Sequence, residues 1–369
     1  MTSLLGPVRY ERAYYHCAHC HQGWFPTDEE LGLTDRSTAG AREVIALAGV
    51  EDAFAVSAER VLERLSGISV SASTVQRVTE TVGSDVAERR EHGDEITPAA
   101  PWNWSADAHG QAVAYVSLDA TGVPQQGPHA ERADGRMAWV ASVFSPAPRE
   151  TPAKRRLRRV RYVSGLMSLE EIGRQLRHEC RQVEVSRADV VIGLTDGGQG
   201  LEDCLVNTVL TNTVLSEQAR RVVTILDYYH CAEHVSEFVA LWCEPTEAEA
   251  EGQRWRHRLK HEGGAAVLAE LEALNLTGRC ELLRETHRKL CGYLRSNLHR
   301  TDYPTYLASG WEIGSGEIES ACKTVVGQRL KGPGMRWRER GTTAVCQLRA
   351  LFKSDSNLWT NYWHPANSA

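Results

Sequence analysis

The chain has 369 residues, enough for one large core and one or two small modules. Hydrophobic residues make up 42% and charged residues 24%, which is typical of globular proteins, and no apolar run approaches the roughly 18–20 residues of a membrane span. The first residues lack the apolar core of a signal peptide, and the ten cysteines are mostly scattered. We therefore expect a cytoplasmic protein with reduced thiols and no membrane partner.

Positive charge is concentrated in two segments, although the formal net charge is −6. Residues 154–161 read KRRLRRVR, and residues 323–340 carry six cations against a single acid. Such segments would neutralise the phosphates of a nucleic acid, and the acidic total would leave carboxylates elsewhere for metal. The alternative is that both segments are solvated faces.

The start of the chain, residues 1–30, contains YYHCAHCHQGW, in which Cys17 and Cys20 are two residues apart. This pair resembles half of a zinc ribbon. A structural zinc ion takes four ligands, so this turn supplies only two of them. Zinc is therefore a candidate cofactor here, with neighbouring histidines as candidate additional ligands.

Residues 31–100 are predicted to be helical. Residues 57–65 form an amphipathic pattern, residues 66–71 a glycine-containing turn, and residues 72–83 a second helix with a serine at its start. This spacing matches a helix-turn-helix, which would contact DNA. The alternative is a plain helical hairpin. Residues 93–104 read as a linker.

A change to strand patterns marks a core, which we place at residues 101–235. Strand-like runs lie at 112–123, 137–145 and 158–165, and then helices alternate with strands that precede Asp196 and Asp227. The order β-β-β-α-β-α-β-α predicts an α/β fold with a mixed sheet covered by helices. A helical insertion, residues 236–310, and a C-terminal segment, residues 311–369, follow it.

Three acids stand out by position. Asp119 is predicted to end the first strand of the sheet, Asp196 ends a later strand, and Glu319 lies on the first turns of the late helix. Carboxylates at strand ends project into the crevice where α/β sheets bind ligands. Mg²⁺ binds through a few carboxylates and substrate phosphate, and two ions about 3.5–4 Å apart could support phosphoryl chemistry. Mn²⁺ would suit the same ligands.

Four segments together resemble a known family: SLDATGVP, LTDGG, LDYYHCAEHV and GSGEIESACKTVVGQRLKGPGMRW. They look like the ISKra-type insertion-sequence transposases of the ribonuclease-H-like DDE superfamily, over nearly the whole chain. The resemblance implies a ribonuclease-H-like catalytic core in which Asp119, Asp196 and Glu319 are the metal ligands. Glu317 is the rival for the third place, since positions 317 and 319 face about 200° apart on a helix.

The resemblance also assigns supporting residues. Asp227 and His230 look like the Asp-x-x-His element of related transposases, although Cys231 and His234 repeat that spacing. His230 would act behind the ligands, or the pair would simply cap a helix. Family members carry another cysteine pair upstream, so either the start is truncated or histidines complete the zinc set. The residues expected to contact DNA are Arg155, Arg156, Arg158, Arg159, Lys323, Arg329, Lys331, Arg336, Trp337 and Arg338. The alternative for Trp337 is a place in the core.

The sequence thus predicts a transposase that binds the terminal inverted repeats of an insertion sequence and target DNA, acting as a homo-oligomer in a synaptic complex. The principal alternative is a catalytically inactive or domesticated DNA-binding protein derived from such an enzyme. A structure-selective nuclease on the same fold, or a metallohydrolase acting on another substrate, would also use the three acids.

Overall fold

A computed structural model describes residues 1–34, 36–146, 159–210, 221–355 and 357–365. The chain begins with two small antiparallel hairpins. Their strands are β1 (Thr2–Ser3), β2 (Gly6–Pro7), β3 (Tyr15–His16) and β4 (Gly23–Trp24). The Cys17–Cys20 turn joins β3 to β4.

The region predicted to be helical is helical. A short helix, α1 (Pro26–Glu30), precedes it, and the region itself contains α2 (Ala39–Glu51), α3 (Phe54–Val56), a π-helical segment (Ser57–Ser66) and α4 (Ala72–His92). Ser71 caps α4 by accepting a hydrogen bond from the backbone N–H of Thr74 at 3.2 Å. This helix continues beyond the predicted end at residue 83, because buried valines recur at helical spacing as far as Val86. It ends at Gly93, which has a positive φ of 77°.

The centre of the fold is a five-stranded mixed sheet. Its strands are β5 (Val113–Gln126), β6 (Arg132–Ser145), β7 (Arg159–Gly165), β8 (Val190–Thr195) and β9 (Arg221–Leu226). The spatial order is β7-β6-β5-β8-β9: β5, β6 and β7 are antiparallel, whereas β5, β8 and β9 are parallel. The predicted α/β fold with a mixed sheet is confirmed.

Helices cover both faces of this sheet. On one face, α5 (Leu169–Gln182), α6 (Leu201–Asp203) and a π-helical segment (Cys204–Leu210) pack with alternate residues of β5, such as Val116 and Leu118. Ser168 caps α5 by accepting a hydrogen bond from the backbone N–H of Glu171 at 3.1 Å, and the Glu171 side chain accepts from Arg174 and Gln175. Short 3-10 turns lie at Pro128–Ala130, Val185–Arg187 and Leu298–Arg300.

The opposite face carries the predicted helical segment. Its helices are α7 (Tyr228–Trp242), α8 (Ala248–Glu262), α9 (Gly264–Glu272), α10 (Glu281–Asn297) and α11 (Tyr303–Ala308). Tyr115 and Ile192 of the sheet share a buried cluster with these helices. The late helical stretch follows on the same face as α12 (Gly316–Ala321), a π-helical segment (Cys322–Gly327) and α13 (Gln328–Leu330). Ile318 and Val325 of this stretch pack against Val123 and Val140.

The last two helices, α14 (Glu339–Lys353) and α15 (Asn357–Trp363), return to the N-terminal region. Leu348, Leu351, Leu358 and Trp359 share one buried cluster with residues of α2 and α4. Helices α4 and α14 touch at Gly83, where a Cβ atom would lie 2.1 Å from the backbone oxygen of Ala344. The N-terminal helices and the C-terminal helices therefore share one hydrophobic core.

Buried arginines join these regions. Arg329 donates from Nε to the backbone oxygen of Gly49 at 2.8 Å, and Arg349 donates to that of Val50, so both serve the C-terminal carbonyls of α2. In a second buried group, Glu179 of α5 accepts from Arg90 of α4 and Arg161 of β7. Within the described ranges, no helix is both long enough and apolar enough to cross a membrane.

Candidate active site

Asp119 lies inside β5 rather than at its end, which corrects the sequence prediction. The strand continues to Gln126 because β6 pairs with it along almost its whole length. The parallel neighbour β8, however, stops pairing at Ser117. Asp119 is two residues beyond that point, on the face that α12 covers, and its Oδ1 accepts from the backbone N–H of Ala120 at 2.6 Å.

Asp196 follows the last residue of β8, as predicted. Its Oδ1 accepts a hydrogen bond from the backbone N–H of Gly198 at 2.8 Å. The hydroxyl of Tyr293, on α10, donates to the backbone oxygen of Asp196 at 2.9 Å. The helical block on that face of the sheet thus holds the loop that carries the second acid.

Glu319 and Glu317 point in different directions from α12. Glu319 is exposed at the start of the helix. Glu317 is only 9% exposed, and its carboxylate accepts a hydrogen bond from the hydroxyl of Tyr162. The geometry therefore favours Glu319 as the acid that faces Asp119.

The three acids lie in one electrostatic neighbourhood. Burial raises the pKa of Asp119 above its ordinary value, and the negative charges of Asp196 and Glu319 raise it further. Across the described part of the chain, no three His, Cys, Asp or Glu side chains are already close enough to enclose a metal ion. Mutual repulsion opposes closer approach of the carboxylates, and a cation would remove that repulsion. The oxygen-only donor set fits Mg²⁺ or Mn²⁺.

A cavity of about 480 Å³ opens between Asp119 and Glu319. Cys322 forms part of its wall, with Sγ 3.5 Å from Oδ2 of Asp119, and burial raises the pKa of this thiol, which therefore stays protonated. Two cations, Lys323 and Lys331, line the same cavity. The cavity therefore combines acids that suit a metal with cations that suit a phosphate.

Asp227 is connected to the acids through Ser315. The carboxylate of Asp227 is 1% exposed, caps α7 by accepting from the backbone N–H of Tyr229 at 2.6 Å, and accepts from the hydroxyl of Ser315. The oxygen of that hydroxyl lies 3.1 Å from Oε1 of Glu319. Asp227 thus caps a helix, which was the alternative expected for it, and it also contacts Ser315, which was not predicted. Its role behind the ligands stays a prediction.

His230 contacts its neighbours on α7. Its Nε2 is 3.2 Å from Nε2 of His234, and its Nδ1 is 3.8 Å from Glu233. The two histidines that compete for the Asp-x-x-His spacing are thus direct partners. His234 also packs against the ring of Tyr293, with centroids 4.8 Å apart.

The residues expected to contact DNA divide into three groups. Lys323, Lys331, Arg336, Arg338 and Arg159 are exposed. Arg329 is 2% exposed and Trp337 7% exposed, with the indole edge-to-face against Phe54 and its N–H bonded to the backbone oxygen of Leu330. Trp337 therefore lies in the core, which was the alternative expected for it, and Arg329 is a buried residue rather than the exposed cation that was expected. Arg155, Arg156 and Arg158 lie outside the described residues.

Cys17 and Cys20 occupy the tight turn between β3 and β4. The backbone N–H of Cys17 donates to Gln22 at 2.8 Å, and that of His21 donates to Cys17 at 2.9 Å. Backbone and side-chain hydrogen bonds from Cys20, with another from the backbone of His19, lower the pKa of Cys17. A turn with two neighbouring thiols suits a soft metal such as zinc, but it provides half of a tetrahedral set.

Three supporting side chains escaped prediction: Ser315, Cys322 and Tyr293. Ser315 and Cys322 lie four residues before and three residues after Glu319, so helical spacing was the available signal. Nothing local marks Tyr293. A scan of protein-family profiles finds no family that matches this chain, and a search of curated proteins finds no match.

Proposed function

We propose that this protein is a DDE transposase, which cleaves and joins DNA strands with two divalent metal ions. The observation that carries the proposal is that the negative charges of Asp196 and Glu319 both act on Asp119, although the three carboxylates come from distant parts of the chain. Asp119 and Glu319 line one cavity, and Asp196 lies outside its lining. If the five strands of the sheet are numbered 1 to 5 along the chain, their spatial order is 3-2-1-4-5, and strands 1 to 3 are antiparallel. That arrangement supports the ribonuclease-H-like core implied by the sequence resemblance.

Under this proposal, the acids hold Mg²⁺ or Mn²⁺, which would activate a water or a 3′-hydroxyl and stabilise the leaving oxygen. The chain itself supplies orientation. Ser315 fixes Glu319, Cys322 donates to Asp119, and Tyr293 anchors the loop that carries Asp196. Lys323 and Lys331 lie where a phosphate beside the acids would need counter-charge.

Lys331, which lines this cavity, is bonded to β5. Its ammonium group donates a hydrogen bond to the hydroxyl of Thr121, which is two residues beyond Asp119 on β5. A cation tied to the strand that carries the first acid can orient a phosphate without neutralising that acid. This arrangement favours phosphodiester chemistry over hydrolysis of an uncharged substrate.

The test is cleavage of DNA that carries the terminal repeats flanking the gene, with Mg²⁺ or Mn²⁺, by the wild type and by Asp196→Asn. The expected result is metal-dependent nicking at the 3′ ends by the wild type alone, with both proteins binding the DNA. Binding without cleavage by either protein would instead support the inactive or domesticated DNA-binding protein. Cleavage of branched DNA regardless of its end sequence would support a structure-selective nuclease.

A further inference from the structure

A groove of about 700 Å³ lies between the N-terminal helices and the segment that leads into α14. One wall is formed by Phe54 and by Gln76 and Glu80 of α4. The other wall carries three exposed cations, Arg336, Arg338 and Arg340. None of these three side chains forms an ion pair with a residue that the structure describes. The groove is therefore cationic on one side, and Glu80 is the only carboxylate among its described lining residues.

The arginines lie on a segment that pairs with the end of β5. The backbone N–H of Trp337 donates to Pro124 at 3.1 Å, and the backbone oxygen of Trp337 accepts from Gln126 at 2.8 Å, so Trp337 forms an isolated parallel bridge beside Gln125. Trp337 faces inward and is buried. Its two neighbours therefore face outward, and residues two apart on an extended strand are separated by roughly 6.6 Å. The backbone pairing therefore sets where Arg336 and Arg338 leave the chain.

The floor of the groove contains a buried cation with an unmet hydrogen bond. Arg329 lines the groove, and its Nη2 has no hydrogen-bond partner among the described residues. Burial, with repulsion from Arg349, lowers the pKa of Arg329 to about 10. This Nη2 atom is itself buried, so an anion in the groove would stabilise the guanidinium through its charge rather than by a direct hydrogen bond.

The groove also receives the start of α14. Arg338 is the N-cap residue of this helix, and Gly341 in its first turn lines the groove. The first N–H groups of a helix have no partner within the helix, and its N-terminus favours negative charge. The groove is therefore lined by exposed arginines, by the buried Arg329 and by the N-terminus of α14.

A second cavity, of about 510 Å³, adjoins this groove on the side of the acids. It shares Met335 and Arg336 with the groove, and its lining residues Gly122 and Gly332 follow directly after Thr121 and Lys331 of the acid cavity. The three cavities therefore follow one another along β5 from Asp119 to the N-terminal helices, and we call this succession the path. We propose that this path binds the phosphate backbone of the DNA strand whose reacting phosphate lies at the acids. The inference rests on the proposed function and adds the course of the strand.

The experiment is a salt titration of binding, by fluorescence anisotropy, with a labelled DNA duplex in buffer containing EDTA. The variant Arg336→Ala/Arg338→Ala is compared with the wild type and with Arg181→Ala/Arg187→Ala. The control pair has the same charge change, is exposed, and lies on the other face of the sheet. The groove variant should bind about tenfold or more weakly, and its plot of log affinity against log salt should be shallower by roughly 2 units, since each phosphate contact contributes about 0.9.

Equal affinity and equal salt dependence in the groove variant and the control would overturn the inference. A second result would also overturn it: inorganic phosphate raises the Tm of the wild type, and DNA does not compete with that phosphate. The groove would then bind a small anion rather than DNA. EDTA separates this test from the test of cleavage. The protein could bind DNA through the groove and still fail to cut DNA when metal is added. That result would contradict the proposed function, and the inference about the DNA path would still hold.

Discussion

The hydroxyl oxygen of Ser315 lies 3.1 Å from Oε1 of Glu319, four residues later in the chain. The same hydroxyl donates to the buried carboxylate of Asp227 at the start of α7. A hydroxyl group has one hydrogen, so Ser315 can donate to only one of the two carboxylates at a time. The orientation of Glu319 is therefore linked to a carboxylate that lies 92 positions earlier and does not face the cavity.

Replacing Ser315 by alanine should lower metal-dependent DNA cleavage by about 10–100-fold, the usual effect of losing a partner behind a metal ligand. The metal concentration that gives half-maximal cleavage should rise, because Glu319 is less well oriented. Ser315→Thr should restore both quantities. Ser320→Ala, at an exposed position on the same helix, is the control. An unchanged metal requirement in Ser315→Ala would contradict the positioning role.

The two neighbouring glutamates should differ sharply. Glu319→Gln removes a carboxylate from the cavity and should lower cleavage by roughly 10²–10³-fold or more, with DNA binding retained. Glu317→Gln can still accept the hydrogen bond from Tyr162 and should keep most of the cleavage activity. Single-turnover rates at saturating metal measure both variants. The reverse pattern would identify Glu317 as the third acid.

Asp119→Asn should stabilise the metal-free protein near neutral pH. The pKa of Asp119 in the folded chain is raised above the ordinary value of 3.8, so the unfolded chain ionises first as the pH rises. Folding stability therefore falls between the two pKa values, and the penalty persists at higher pH. Thermal unfolding in EDTA should give a higher Tm for Asp119→Asn near neutrality, and the difference should shrink as the pH falls towards 3.8.

Asp107→Asn provides a control of opposite sign. Although burial acts the other way, hydrogen bonds from the backbone of Gln111, the Trp311 indole and the backbone of His109 lower the pKa of Asp107. This substitution should lower the Tm near neutrality.

Added Mg²⁺ should raise the Tm of the wild type more than that of Asp119→Asn, since a ligand stabilises the state that binds it. A lower Tm for Asp119→Asn in EDTA would argue against uncompensated charge at the acids.

Two glycine-to-alanine substitutions in helices should have opposite effects. Gly83→Ala places a Cβ against the backbone of α14 and should cost about 1–3 kcal/mol of unfolding free energy, because two helices must separate. Gly292→Ala on α10 meets no atom within 4 Å and should add about 0.5–1 kcal/mol. Urea denaturation measures both. Equal changes would contradict the close packing of α4 on α14.

The site residues whose positions in the fold were predicted correctly are those whose neighbours in the sequence indicate the position. Asp196 follows a short apolar strand, and Glu319 follows a glycine-rich break at the start of a helix, so each position could be read from its neighbours. Asp119 was misplaced at the end of a strand because the length of β5 is fixed by pairing with β6, which is not visible in the residues of β5 alone.

Contacts between distant segments account for the other differences. Arg329 and Trp337 lie in a segment rich in cations and glycine, which predicts an exposed loop. The sequence cannot show that the carbonyls at the end of α2 lie beside Arg329, or that Phe54 packs on the indole. The link from Asp227 through Ser315 to Glu319 is likewise tertiary, so the role of Asp227 came from resemblance and that of Ser315 was missed.

The shared core of the two ends has a consequence for synthesis of the protein. The ribosome makes α2 and α4 long before Leu348, Leu351, Leu358 and Trp359, which complete their hydrophobic cluster. A growing chain therefore carries those helices without their final partner until α14 and α15 emerge. The wall of the groove on α4 and the arginines opposite it become one surface only then. A chain from which α14 has not yet emerged thus lacks the groove on which the proposed DNA path depends.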